Sequence, residues 1–111
     1  MEVLKKTIRI YAMANGQCPY EDWLHGLKDV KGRAKIRKRV DRLADGNPGK
    51  YRYLGDRLFE MKIDFGPGYR VYYGEAGKTL VILLCGGDKS TQERKDMDAA
   101  VAYWADCRRS K

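Results

Sequence analysis

Between Leu58 and Lys89 the chain reads LFEMKIDFGPGYRVYYGEAGKTLVILLCGGDK, three runs of strand character joined by two turn signals. In LFEMKID, Phe59, Met61 and Ile63 fall on one face and Glu60, Lys62 and Asp64 on the other, which separates a core side from a working side. Gly66, Pro67 and Gly68 form the first turn. In GYRVYYG, Tyr69, Val71 and Tyr73 share one face while Arg70 and Tyr72 share the other. Glu75 to Lys78 makes the second turn, with Gly77 available for positive φ. LVILLC is apolar at every position, as in a central strand covered on both faces, and Gly86-Gly87 is expected to end it.

The flanking segments supply cover. Lys6 to Ala12 alternates Ile8 and Ile10 with polar residues and predicts a first strand. Pro19, followed by Glu21 and Asp22, opens a short helix with Tyr20, Trp23, Leu24 and Leu27 as its apolar stripe. Asp29 is placed to cap a second helix from Val30 to about Ala44, buried through Ile36, Val40 and Leu43 and stopped by Asp45, Gly46, Asn47 and Pro48. Gly49 to Gly55 reads as a polar turn region. A last helix, with Ser90 and Glu93 in capping-box spacing, runs to about Arg108. The order β-α-α-β-β-β-α predicts one α+β domain over residues 1–111, its helices laid against a small, largely antiparallel sheet.

Charge narrows the function. The formal net charge is +8, large for 111 residues, and it favours polyanionic partners, nucleic acid first. From Lys28 to Arg42 eight Lys or Arg face two Asp, a local net of +6, so the second helix is expected to lay Lys35, Lys38, Arg39 and Arg42 against a phosphate backbone or an acidic partner. No apolar run approaches the ~20 residues of a membrane span, and MEVLKKTIRIYAM is broken by Lys5, Lys6 and Arg9, so a secreted or membrane protein is not expected. Three widely spaced cysteines and the single His25 fit reduced thiols in a cytoplasmic protein and no metal site. No nucleophile-histidine pair, phosphate loop or dinucleotide fingerprint is present, and no cofactor is expected.

What remains is a set of cations and phenols: Lys62, Arg70, Tyr72 and Lys89, with Arg57 and Glu60 nearby in sequence. Cleavage within RNA can run on such groups, because the nucleophile is the substrate's own 2′-hydroxyl and the protein need only align it, stabilise charge and move protons. Arg70 suits a bidentate phosphate contact. Lys62 and Lys89 add point charges, and Tyr72 is available to stack on a base or donate a hydrogen bond. The same residues equally describe a binding surface without chemistry.

The segments PYEDWLHGLKD, LFEMKID, GPGYRVYY and LLCGGDKSTQ strongly resemble the RelE/ParE superfamily of toxins from bacterial type II toxin–antitoxin systems, and look most similar to the branch called addiction module killer proteins, related to HigB and phage-derived proteins. The likeness runs from about Lys6 to Trp104. It implies a RelE-like fold and a metal-independent endoribonuclease (mRNA interferase) that cuts ribosome-bound mRNA to a 2′,3′-cyclic phosphate. It also implies a neighbouring-gene antitoxin, of helix-turn-helix type, as partner. By position, Lys62 and Arg70 match functional family residues, and Lys89 stands near a further basic one. The sequence departs from the pattern at Glu60, where another strand lysine is expected, near Asp96 or Met97, where a tyrosine is expected, and in lacking the histidines of HigB. The resemblance also leaves open a ParE-like toxin that inhibits DNA gyrase without catalysis, or a degenerate toxin that only partners its antitoxin.

Overall fold

The computed structural model describes residues 4–109 of the 1–111 chain. Its elements are β1 (Thr7–Ile10), α1 (Pro19–Gly26), α2 (Val30–Ala44), β2 (Tyr51–Gly55), β3 (Leu58–Ile63), β4 (Tyr69–Ala76), β5 (Leu80–Asp88) and α3 (Glu93–Arg109). They build an α+β fold on one five-stranded sheet of order β1-β5-β4-β3-β2. The sheet is mixed: β1 lies parallel to β5, and the other three pairings are antiparallel.

The apolar run of β5 occupies the position expected of it, inside the sheet and covered on both sides. Val81 and Leu83 face a core with Tyr20, Leu24, Ile36 and Leu43 from α1 and α2. Ile82, Leu84 and Cys85 face a second core with Ala100 and Trp104 from α3. A register shift opposite Tyr72 and Tyr73 explains why the adjacent Leu84 and Cys85 point the same way.

Three local expectations are corrected. Residues 51–55 are not a turn but a fifth strand, edge strand β2, whose Tyr-Arg-Tyr alternation presents so few aliphatic groups that it reads as polar. It joins β3 through Asp56 and Arg57, both at positive φ (53° and 64°), the geometry of a tight two-residue hairpin. The Gly86-Gly87 pair does not end β5. It lets the strand continue under close cover, since a Cβ on Gly86 would sit 2.3 Å from the Trp23 ring and one on Gly87 2.1 Å from the Asp96 carboxylate. Ser90 caps no helix: its amide donates to the Asp88 carboxylate (2.7 Å), and α3 begins only at Glu93.

Asp29 does cap α2. Its carboxylate accepts from the Gly32 amide (2.9 Å) and from the buried Tyr69 hydroxyl (2.6 Å), tying α2 to β4. The Tyr69 bond first, and then the Gly32 amide, hold the Asp29 carboxyl below its ordinary range.

Two stability outcomes follow. Ile36→Ala, at a fully buried site, should lower the unfolding free energy by about 2–5 kcal/mol in urea titrations, and Val101→Ala on the exposed side of α3 by no more than about 0.5 kcal/mol. Because the Asp29 pKa is depressed on folding, its stabilisation is complete above the ordinary Asp value near 3.9 and is lost as pH falls through the lowered value. Asp29→Asn, which keeps a capping oxygen, should remove that part of the acid unfolding limb.

Candidate nucleic-acid interface

Strand register assembles the centre of the site. Lys62 pairs with Arg70 and Glu60 with Tyr72 across β3 and β4, so the four side chains share the sheet face on which α3 lies. This face was expected to be open, and α3 closes much of it. Lys62 keeps 40% of its side-chain exposure and Arg70 only 14%. Tyr72 and Glu60 keep none.

The expectation that Tyr72 stacks on a base is therefore corrected: its ring belongs to the core beneath Trp104 and Ala100. Its hydroxyl is pushed far above the usual phenol range, first by burial and then by the Glu60 charge, with Arg70 opposing. Arg70 donates to the Asp88 carbonyl (2.8 Å) and faces the Asp96 carboxylate at 3.7 Å. Arg52, reaching over from β2, meets both Glu60 (3.3 Å) and Glu93 (3.1 Å). The first turn of α3 thus sets two carboxylates against two of the site's cations.

Hydrogen-bonding capacity is left over at the centre. Glu60 Oε1, Arg70 Nε and the Tyr72 hydroxyl are buried and form no well-aligned hydrogen bond, although Glu60 and Arg70 both lie against the Tyr72 hydroxyl; a buried polar group without a good partner costs about 1–3 kcal/mol. Lys62 Nζ stands 4.0 Å from Glu60 Oε1, an ion-pair distance. Lys89 is exposed just past the end of β5, its side chain near the Gly66–Gly68 turn and so at the same end of the sheet as Arg70.

The other candidates lie elsewhere. Arg57, an RNA-binding candidate from the sequence, is at the opposite end of the β3–β4 ladder from Arg70, where its guanidinium donates to the Glu75 (2.9 Å) and Gly77 (2.6 Å) carbonyls. Lys35, Lys38, Arg39 and Arg42 line a pocket of about 260 Å³ with Asp64 and Phe65, on the α2 face of the sheet and away from Arg70. Within it Arg39 is largely committed to structure, bonding the carbonyls of Lys62 (2.6 Å), Pro48 (2.9 Å) and Lys50 (3.2 Å). Lys35 rides 5.6 Å over the Phe65 ring.

Sequence reasoning noticed Glu60 beside the cations without giving it a role, and missed Asp96, Glu93 and Arg52 as members of the site. The alternation of β3 already carried Glu60 to the correct face. The acids of α3 had no comparable signal, because only the tertiary placement of the helix brings them to Arg70 and Arg52.

Arg52→Ala should destabilise by about 1–2 kcal/mol, because Glu60 stays buried with less compensation. Combining it with Glu60→Gln should recover most of that loss, and simple additivity in a double-mutant cycle would sink the coupling.

No helix among the described residues is long and apolar enough to cross a membrane, and no three His, Cys, Asp or Glu among them converge as metal ligands. No family model matches the chain. Over 75 residues it is 49% identical to an uncharacterized protein of Haemophilus influenzae, an alignment spanning 68% of this chain and 76% of that one. At that identity and coverage the chain belongs to the same family as the Haemophilus influenzae protein.

Proposed function

We propose that this protein is the toxin of a type II toxin–antitoxin pair, RelE-like in fold, that cleaves ribosome-bound mRNA in the cytoplasm. The observation that carries the reading is the Lys62–Arg70 pair near exposed Lys89, with Arg70 Nε, Glu60 Oε1 and the Tyr72 hydroxyl buried together without a well-aligned hydrogen bond. Such a cluster suits a phosphate, whose oxygens accept from Arg70 while Lys62 and Lys89 add positive potential.

In the reaction the 2′-hydroxyl oxygen bonds to the adjacent phosphorus and the P–O5′ bond breaks. The leaving 5′-oxygen takes a proton from the half-exposed Lys62 ammonium, and the products are a 2′,3′-cyclic phosphate and a 5′-hydroxyl. The proton leaving the 2′-oxygen needs an acceptor, and Glu60 is the buried carboxylate on this face with an oxygen left over. Access to it requires the first turn of α3 to yield. The Arg52–Glu93 pair is half exposed at both ends, so exchanging Glu93 for a substrate phosphate costs little.

The α2 pocket lies on the far face of the sheet from Arg70, suited to ribosomal RNA backbone rather than to the scissile bond. The antitoxin, encoded beside the toxin, would use acidic residues against the same cations. The sealing of Tyr72 and Glu60 under α3 favours one second reading, a ParE-like toxin that inhibits DNA gyrase by contact alone.

Induction in a bacterial host separates the two. Growth arrest with mRNA cut within codons on ribosomes, and no DNA-damage response, is the expected outcome. Arg70→Lys, which keeps charge and most of the packing, should reduce cleavage at least tenfold by losing the bidentate contact. Wild-type cleavage by purified Arg70→Lys and Arg70→Ala would remove the site assignment, and a damage response without RNA cuts would favour the gyrase reading.

A further inference from the structure

Edge strand β2 carries a feature that the Arg70 site does not use. Tyr51 and Tyr53 are 50% and 56% exposed, the aromatic side chains among the described residues left so open to solvent. Two residues apart on one strand, they lie on the same face of the sheet, about 6.8 Å apart along it. Both rest on Phe59, at centroid distances of 5.8 Å and 5.0 Å, and Phe59 stacks on buried Tyr73 at 5.2 Å with an 11° tilt. The Arg57 amide also donates to the Tyr53 hydroxyl (3.1 Å). These are exposed rings on a rigid base, and ordering them on binding costs little.

Their surroundings point to an anionic, ring-bearing ligand. The tyrosines share the α2 face with the Lys35, Lys38 and Arg42 pocket: Leu43 of α2 lines a hollow with Tyr51, and Arg39 bonds the Pro48 and Lys50 carbonyls in the loop between. Asp64, the carboxylate lining the cationic pocket, is already held by Lys50 at 3.4 Å. Cations and two open aromatic rings thus lie on one face of the sheet, joined through α2 and the Pro48–Lys50 loop, the combination by which proteins hold single-stranded nucleic acid.

We infer that Tyr51 and Tyr53 form a stacking platform for two consecutive bases of single-stranded RNA whose phosphates run along Lys35, Lys38 and Arg42. This inference rests on the RNA reading above. It adds a second RNA-contacting surface, across the sheet from Arg70, that grips the strand without cutting it.

A protein strand adding to β2 is the competing occupant. The Lys62 amide donates to the Lys50 carbonyl, so ladder alternation turns the Tyr51 and Tyr53 backbone groups outward. The strand is only five residues long, however, and it ends at an irregular register beside Gly55. A second copy of the chain would set Lys50 and Arg52 against like charges, which short charged edges use to prevent pairing.

The test is fluorescence anisotropy with a labelled single-stranded RNA of about twelve nucleotides, together with a copy containing internal 2-aminopurine, whose emission is quenched on stacking. Tyr51→Ala and Tyr53→Ala should each weaken binding about tenfold and relieve the quenching, with the slope of log K against log salt unchanged. Tyr51→Phe should bind as wild type. Lys38→Ala should instead reduce the salt slope. Alanine variants that bind and quench like wild type, while Lys38→Ala still weakens binding, would overturn the platform and leave the RNA reading intact. A wild-type protein with no affinity for the RNA would overturn both. Loss of a concentration-dependent self-association in the alanine variants, with RNA binding unchanged, would overturn the platform in favour of strand pairing.

Discussion

The apolar stretch of β5 has no face that tolerates water, and two separate helical layers are needed to shield it. Val81 and Leu83 require α1 and α2 on one side, and Ile82 and Leu84 require α3 on the other. Contacts on each side are close enough to exclude even a Cβ in places, at Gly86 under Trp23 and at Gly74 under Trp104. β5 also anchors the sheet, pairing with β1 on one flank and β4 on the other. A substitution that loosens β5 therefore weakens both cores together.

Double cover determines what the cations can do. A sheet with one bare face would display Lys62, Arg70 and Tyr72 together. Here α3 buries the tyrosine, pairs the arginine with Asp96 and leaves the lysine as the accessible member. Basic residues on α2 are carried to the opposite face, and Arg57 to the other end of the β3–β4 hairpin. One chain thus presents two cationic surfaces separated by the thickness of the sheet, one recessed among carboxylates and one open.

Period-2 alternation in the sequence located the inward residues of β3 and β4 correctly, from Phe59 and Met61 to Val71 and Tyr73, and the all-apolar β5 was legible as a two-faced interior strand. Alternation tells which face a side chain takes, but not whether another element later covers that face. Tyr72 was placed on the correct side and given the wrong exposure for that reason. β2 escaped because Tyr51, Arg52 and Tyr53 are half-solvated, and its hairpin turn uses Asp56-Arg57 rather than a glycine signal. Arg39 looked like a surface cation, and only its reach to three carbonyls reveals a structural duty. Glu60 stood out in sequence as the wrong charge among cations; in the fold it is the buried acid around which Arg52 and Lys62 gather.

The two ends of α3 are held by different kinds of force. Near its C-terminal end the Trp104 ring fits over Gly74, its indole donates to the Asp56 carbonyl (2.8 Å), and Arg108 grips the Asp56 carboxylate (2.6 Å). At the N-terminal end the ties are ion pairs, the half-exposed Arg52–Glu93 pair open to screening by salt and the largely buried Arg70–Asp96 pair much less so. The hairpin turn at Asp56 therefore serves two elements at once: its two positive-φ residues reverse the chain between β2 and β3, and the same turn offers α3 a carbonyl and a carboxylate as a docking point.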